Sequence, residues 1–271
     1  MSFAPGHISL TFAIHSNINP IEMGSTGLGI VLPQGVYCSI IEENKKDTDN
    51  LIIVENEVID DPVVSRALEL LGYGNKGLSI YLRRDLPIGA GFGISGATAL
   101  AACLELDKNL HNCALAAHQA EVEYKTGLGD VVAISSALSV GDFPLIVERK
   151  SPGVNGETST YNVNNKLAVC ISGLGRNTSE IISSPEWSEI INAVSSNLNI
   201  IDYDIRSVIK AGRIFTEKSG LINENLAEIL ASIPLGAVSS VAHLGTSIIA
   251  VSDNIPELTD CLEKYGEVRI Y

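Results

Sequence analysis

The 271-residue chain has no closely spaced cysteine pair, few aromatic residues and no excess of positive charge. Its five cysteines, Cys38, Cys103, Cys113, Cys170 and Cys261, are odd in number and none pairs as a CxxC knuckle. That spacing argues for free thiols rather than a disulfide framework or a zinc site. The 18 Lys and Arg are outnumbered by 32 Asp and Glu, for a net charge of −14. Nucleic acid is therefore not expected as a partner, since a phosphate backbone needs clustered cations. A small anion held by a few local amides is still compatible with this balance. The opening MSFAPGHISLTF has neither a basic segment nor a long apolar run, so no signal peptide is expected. No apolar stretch approaches the ~18 residues of a membrane span. What is left is a globular chain expected in the cytoplasm, long enough for one large domain or two modest ones.

What is present is a regular alternation of strand-like and helix-like segments. Residues 7–14 and 28–41 read as strands. DDPVVSRALELLGYG reads as a helix capped by Asp61, with Pro62 in its first turn and Gly72 beyond its end. GLSIYLRRDLP is a strand running into PIGAGFGISGA, and Ala97, Leu100, Ala101 and Leu104 then repeat at helical spacing. NCALAAHQAEVEYKTG reads as a second helix stopped by Gly127. DVVAISSALSV reads as a third helix, with a strand as the alternative, and FPLIVER as a strand. The polar SPGVNGETSTYNVNN, 151–165, is expected to be a linker or loop. Beyond it come a strand at KLAVCISG and helices around 179–198, 203–218 and 222–232. The chain closes with strands in VSSVAHLGTSIIAVSD, a helix and a last strand.

The segment PIGAGFGISGA carries the strongest signal for chemistry. Glycines permit positive φ and let backbone N–H groups approach an anion. The helix expected from Ile94 adds unpaired amides and the positive end of its dipole. The spacing is neither a dinucleotide fingerprint nor a Walker loop. Pro87-Ile88-Gly89-Ala90-Gly91-Phe92-Gly93-Ile94-Ser95-Gly96-Ala97 resembles the P-x-G-x-G-L-G-S-S-A loop of the GHMP kinases. FAPGHISL resembles that family's opening strand, and VAHLGTSIIAV resembles its third, glycine-containing motif. Within the family, APGHIS, NPIEMGSTGLGIVL, AHQAEVEYKTGLGDVVA and RKSPG are similar to the archaeal pantoate kinases. His7 stands where other members have Lys or Arg. Ile94 and Gly96 replace a serine and an alanine of the usual loop, and residues 134–142 form a longer segment than expected.

The resemblance implies an α+β, two-domain GHMP-kinase fold. An N-terminal α/β ATP-binding domain would cover 1–150 and a C-terminal ferredoxin-like domain 151–271. It implies ATP and Mg²⁺ as cofactors, with pantoate as the small-molecule substrate in coenzyme A biosynthesis. It implies no nucleic acid or membrane partner and leaves a homodimer open. ATP would be bound by Pro87, Gly89, Ala90, Gly91, Phe92, Gly93, Ile94, Ser95 and Gly96. Ser95 and Glu121 would hold the metal, and with Asp130, which meets the acceptor hydroxyl, form the catalytic set. Ser25, His118, Arg149 and Thr178 would bind substrate. Taken by spacing alone, ordinary roles are favoured: a Glu121–Lys125 surface pair, Asp130 as a helix cap and Thr178 as another cap. A kinase for shikimate, homoserine or mevalonate is one alternative, and a non-catalytic nucleotide-binding regulator is another.

Overall fold

The computed structural model describes residues 1–42, 48–173 and 178–271. Its first sheet is assembled from β1 (Ser2–Ser9), β2 (Ala13–His15), β3 (Gly24–Glu42), β4 (Leu51–Val54), β5 (Glu57–Ile59), β6 (Leu78–Arg84), β7 (Leu145–Arg149) and β8 (Thr158–Asn162). Helices α1 (Pro62–Leu70), α2 (Ile94–Leu106), α3 (Leu110–Tyr124) and α4 (Asp130–Val140) lie between these strands in sequence. The second sheet holds β9 (Ala168–Ile171), β10 (Val238–Val241), β11 (Ile248–Val251) and β12 (Glu267–Ile270). Its helices are α5 (Thr178–Ser183), α6 (Pro185–Ser196), α7 (Ile205–Ser219), α8 (Glu224–Ser232) and α9 (Ile255–Leu262).

The first sheet runs β5-β4-β6-β3-β7-β8, with β1 and β2 both paired to the long β3. The second runs β10-β11-β9-β12, a β-α-β-β-α-β unit with its first and third strands in the centre, which is the ferredoxin-like order. The α+β expectation therefore holds. One apolar core joins the two sheets. It runs from Ala4, Ile8 and Ile30 through α2 to Val169, Ile205 and Ile249.

Local rules explain most elements. Asp61 accepts from the Val64 amide and Pro62 opens α1, whose Val63, Val64, Ala67 and Leu68 are buried. α2 is buried nearly all round, and alanines at 97, 99, 101 and 102 let it pass under the glycine loop. Burying each larger residue of this core is worth about 1.5–3 kcal/mol.

Four readings need correction. α3 stops with Lys125 in the left-handed conformation (φ 56°) rather than at Gly127. The segment 179–198 is two helices, because Pro185 starts a new one capped by Ser184. The polar stretch 151–165 is not all loop, since Thr158–Asn162 pairs antiparallel with β7. Ser25, which falls between the strands expected at 7–14 and 28–41, lies on β3, opposite Ile14. DVVAISSALSV resolves to helix, with Val131 and Ile134 in the main core and Ala133 and Ala137 packed with Val31, Leu145 and Val147.

Candidate active site

A cavity of about 380 Å³ is bounded by the glycine loop, the end of α3, the start of α4, α5 and the β10–β11 turn. Gly89, Gly91 and Gly93 all have positive φ, at 78°, 94° and 59°. The loop therefore uses the freedom expected of it. The β10–β11 turn braces it from behind. A Cβ on Gly91 would lie 2.8 Å from the Ala242 carbonyl oxygen, and one on Gly245 would strike the Ala90 backbone. Gly93 caps α2 without a side-chain bond, so the first-turn amides of α2 have no helical acceptor, and the cavity is lined there by Gly93, Ile94 and Ser95 but not by Pro87, Ala90 or Gly96.

Glu121 is buried, 2% exposed, which rules out the surface pair with Lys125. Thr126 donates to its Oε1 at 3.0 Å, and the Ser95 hydroxyl is also bonded to this carboxylate. Burial, with Asp130 nearby as a second negative charge, raises its pKa well above the usual carboxylate range. Two glycines make room for it. A Cβ on Gly96 would sit 2.5 Å from Glu121 Oε2, and one on Gly127 would sit 2.5 Å from the same atom and 3.1 Å from Asp130 Oδ2. Gly96, a departure from the family loop, thus lets the carboxylate close on the helix.

These oxygens suit Mg²⁺, which takes hard oxygen ligands and keeps much of its shell for phosphate and water. A buried carboxylate with a hydroxyl beside it is such a donor set. Among the described residues no group of three or more His, Cys, Asp and Glu is placed to hold a metal. A cation here would take few protein ligands and complete its shell elsewhere.

Asp130 is the first residue of α4, where the helix dipole favours its ionised form. His7 Nδ1 donates to its Oδ1 at 2.7 Å. Arg149 Nη1 lies 3.2 Å from His7 Nε2. His7 is fully buried, and desolvation holds its imidazole neutral by lowering its pKa. Desolvation works to raise the Asp130 pKa, but His7 and the Arg149 charge outweigh it and hold the group below its ordinary value. Arg149 is 1% exposed; burial lowers its pKa to about 10, with Asp130 pulling the other way, so it remains a cation.

The remaining predicted residues divide. Ser25 and Thr178 line the cavity. Ser25 and Arg149 both lie beside Gly129, which has no side chain to separate them from the cavity wall it forms. Arg149 itself lies one layer behind that wall, and its Nε and Nη2 have no partner among the described residues. His118 also lies behind the wall. It is 1% exposed, and its Nε2 donates to the Met23 carbonyl at 2.9 Å, which ties down the chain leading into β3. Thr178 opens α5, and residues 174–177 before it lie outside the described residues.

Sequence reasoning left His7 without a role and missed the apolar wall of Phe12, Leu128, Ile182 and Leu244. Phe12 packs at a tilt against Phe215 and edge-on against His243, whose pKa burial lowers to about 4. Leu244 sits at φ 63° just before Gly245, so the glycine motif hinted at the turn but not at its apolar tip. Nothing in the pattern pointed to Phe12.

This arrangement places a glycine loop with positive-φ backbone, the buried carboxylate of Glu121 and the partly exposed carboxylate of Asp130 on one cavity, a set that suits phosphoryl transfer between small molecules. Residues 62–137 match the GHMP kinases N terminal domain. A pantoate kinase of Methanocaldococcus jannaschii is 31% identical over 260 residues, 92% of each chain. One of Methanospirillum hungatei is 32% identical over 282 aligned positions, 98% of this chain and 91% of its own. Among solved structures, a phosphotransferase related to the CoA biosynthesis pathway superposes with a TM-score of 0.73 at 24% identity, covering 99% of this chain and 94% of that one. L. major mevalonate kinase, in complex with R-mevalonate, superposes at 0.59 and 15%, covering 100% and 94%. The structural likenesses establish the fold. The chain belongs to the GHMP kinases and, within them, to the family of the archaeal pantoate kinases.

Proposed function

We propose that this protein transfers the γ-phosphoryl group of ATP to the terminal hydroxyl of pantoate, giving 4-phosphopantoate for coenzyme A biosynthesis. The observation that carries this is the ionised Asp130, whose Oδ1 is taken by His7 while Oδ2 lies beside Gly127 on the wall shared with the glycine loop. The loop amides and the N-terminus of α2 receive the triphosphate. Mg²⁺, held by Glu121 and Ser95, would supply charge neutralisation on the phosphate oxygens. The hydroxyl oxygen attacks the γ-phosphorus, the bond to the β-phosphate oxygen breaks to release ADP, and the hydroxyl proton passes to Asp130. Alignment and electrostatics account for most of the acceleration.

Pantoate presents a carboxylate, two hydroxyls and a geminal dimethyl group. Phe12, Leu128, Ile182 and Leu244 offer the small apolar wall, and Ser25 and Thr178 offer hydroxyl partners. Arg149, one layer behind Gly129 with its Nε–H and Nη2–H unpaired, would act on the acid end by its positive charge through the glycine wall. His118 supports this region through Met23. The test is ADP release with Mg-ATP and a panel of pantoate, mevalonate, homoserine and shikimate, with the product identified by ³¹P NMR. Pantoate should be turned over far faster than the others. Turnover of another acceptor and none of pantoate would replace this reading, and ATP binding with no turnover on any acceptor would make the protein a regulator.

A further inference from the structure

Asp130 lines the cavity and Arg149 is buried behind the same glycine wall, yet they do not pair directly; an imidazole stands between them. We propose that His7 is a positioning residue for phosphoryl transfer: it bridges Asp130 to Arg149 so that one aspartate oxygen is held and the other stays open to the acceptor hydroxyl. This rests on the reading of Asp130 as the group that meets that hydroxyl.

Several features are built around this bridge. The register of β1 against β3 shifts between Pro5 and His7, an irregularity at Gly6 that re-aims the following side chain. The His7 amide donates to the Phe92 carbonyl at 2.8 Å, tying this turn of backbone to the glycine loop. Gly29 on β3, two residues from His7's register partner Val31, has no Cβ, and one built there would overlap the His7 ring at Nε2. The ring is fully buried and makes one bond at each nitrogen. Since Arg149 only donates, Nε2 must accept, and Nδ1 therefore carries the proton given to Asp130.

The chemistry explains why a neutral bridge serves better than a direct ion pair. An arginine set against a carboxylate engages both oxygens in a fork. Such a pair would leave Asp130 no oxygen for a substrate. With His7 interposed, only Oδ1 is engaged, and the arginine's charge still acts on the carboxylate from one ring away. The same Arg149 carries the two unpaired N–H groups nearest the cavity wall. His7 therefore ties the two ends of the acceptor site into one rigid unit.

The experiment uses the full chain with His7→Asn, His7→Gln and the parent. Asparagine keeps an N–H near Nδ1 and loses the reach to Arg149; glutamine reaches toward Arg149 and loses the donor to Asp130. We expect kcat to fall about 100-fold in His7→Gln and about tenfold or less in His7→Asn, with KM for ATP and acceptor within threefold of the parent, on the scale of a misplaced catalytic group. A His7→Gln enzyme with kcat within threefold of the parent, or equal losses in both variants that track their melting temperatures, would overturn the proposal. ¹⁵N NMR of the parent imidazole gives a second reading that depends on no variant folding. A neutral ring protonated at Nδ1 is expected, and an imidazolium or an Nε2–H tautomer would overturn it. Should pantoate prove the wrong acceptor, the same kinetic comparison runs on the acceptor that is used, and the NMR result does not depend on the acceptor at all.

Discussion

At one end of the cavity Gly89, Gly91 and Gly93 line the wall with positive-φ backbone, and among the described residues no arginine lines it. At the other, His7, Asp130 and Arg149 are joined side chain to side chain behind Gly129. The first end is made of main chain and a carboxylate whose pKa burial raises. The acceptor end is made of charges that compensate one another. Their pH signs are opposite. Glu121 has a raised pKa, so its support for the fold is complete below the ordinary carboxylate range and disappears as pH rises through the raised value. Asp130 and His7 have lowered values, so their support is present at neutral pH and lost on acidification. An arriving cation reverses the first penalty, which makes ligand binding rather than folding the event that completes the donor end.

The comparison breaks most sharply at Asp130. Asp130→Asn should lower kcat by about three orders of magnitude, within the range of general-base losses, and leave ATP binding near the parent value. Equal damage to nucleotide affinity, read by calorimetric titration, would mean that the two ends are not separable. Gly91→Ala tests the opposite end. A Cβ there meets the Ala242 carbonyl at a φ of 94°, so strain of roughly 1–3 kcal/mol should fall on the loop. KM for ATP should rise about tenfold or more, with KM for pantoate little changed in steady-state assays. Glu121→Gln sharpens the electrostatic contrast. Without Mg²⁺ or nucleotide at pH 9 it should melt about 3–5 °C above the parent, and at pH 5 show no gain, by scanning calorimetry. The smallest effect is expected at His118. His118→Gln, which can still donate to Met23, should raise KM for pantoate no more than about threefold. A loss of tenfold or more would place His118 in direct contact with substrate.

The two ends also differ in how far the linear sequence revealed them. The glycine loop could be read residue by residue, because positive φ and amide exposure are local properties of Gly89 to Ser95. The caps at Asp61 and Pro62 were legible for the same reason. Glu121 was legible as a candidate, but its helix spacing equally suited a pair with Lys125, and only its burial against α2 decided the matter. The strand at Thr158–Asn162 was hidden in a polar segment because it lies at the sheet edge, partly exposed, with no apolar alternation to announce it.

The amino-acid sequence by itself determined the glycine loop's backbone freedom, most helices with their caps, and the set of residues from which a kinase site could be built. Tertiary structure alone decided that His7 from β1, Asp130 from α4 and Arg149 from β7 meet in one hydrogen-bonded chain, and that Phe12 and Leu244 face the same cavity. The physical reason is range. Backbone conformation and capping are set within a few residues, whereas desolvation and charge compensation depend on what packing brings together from 123 and 142 positions apart.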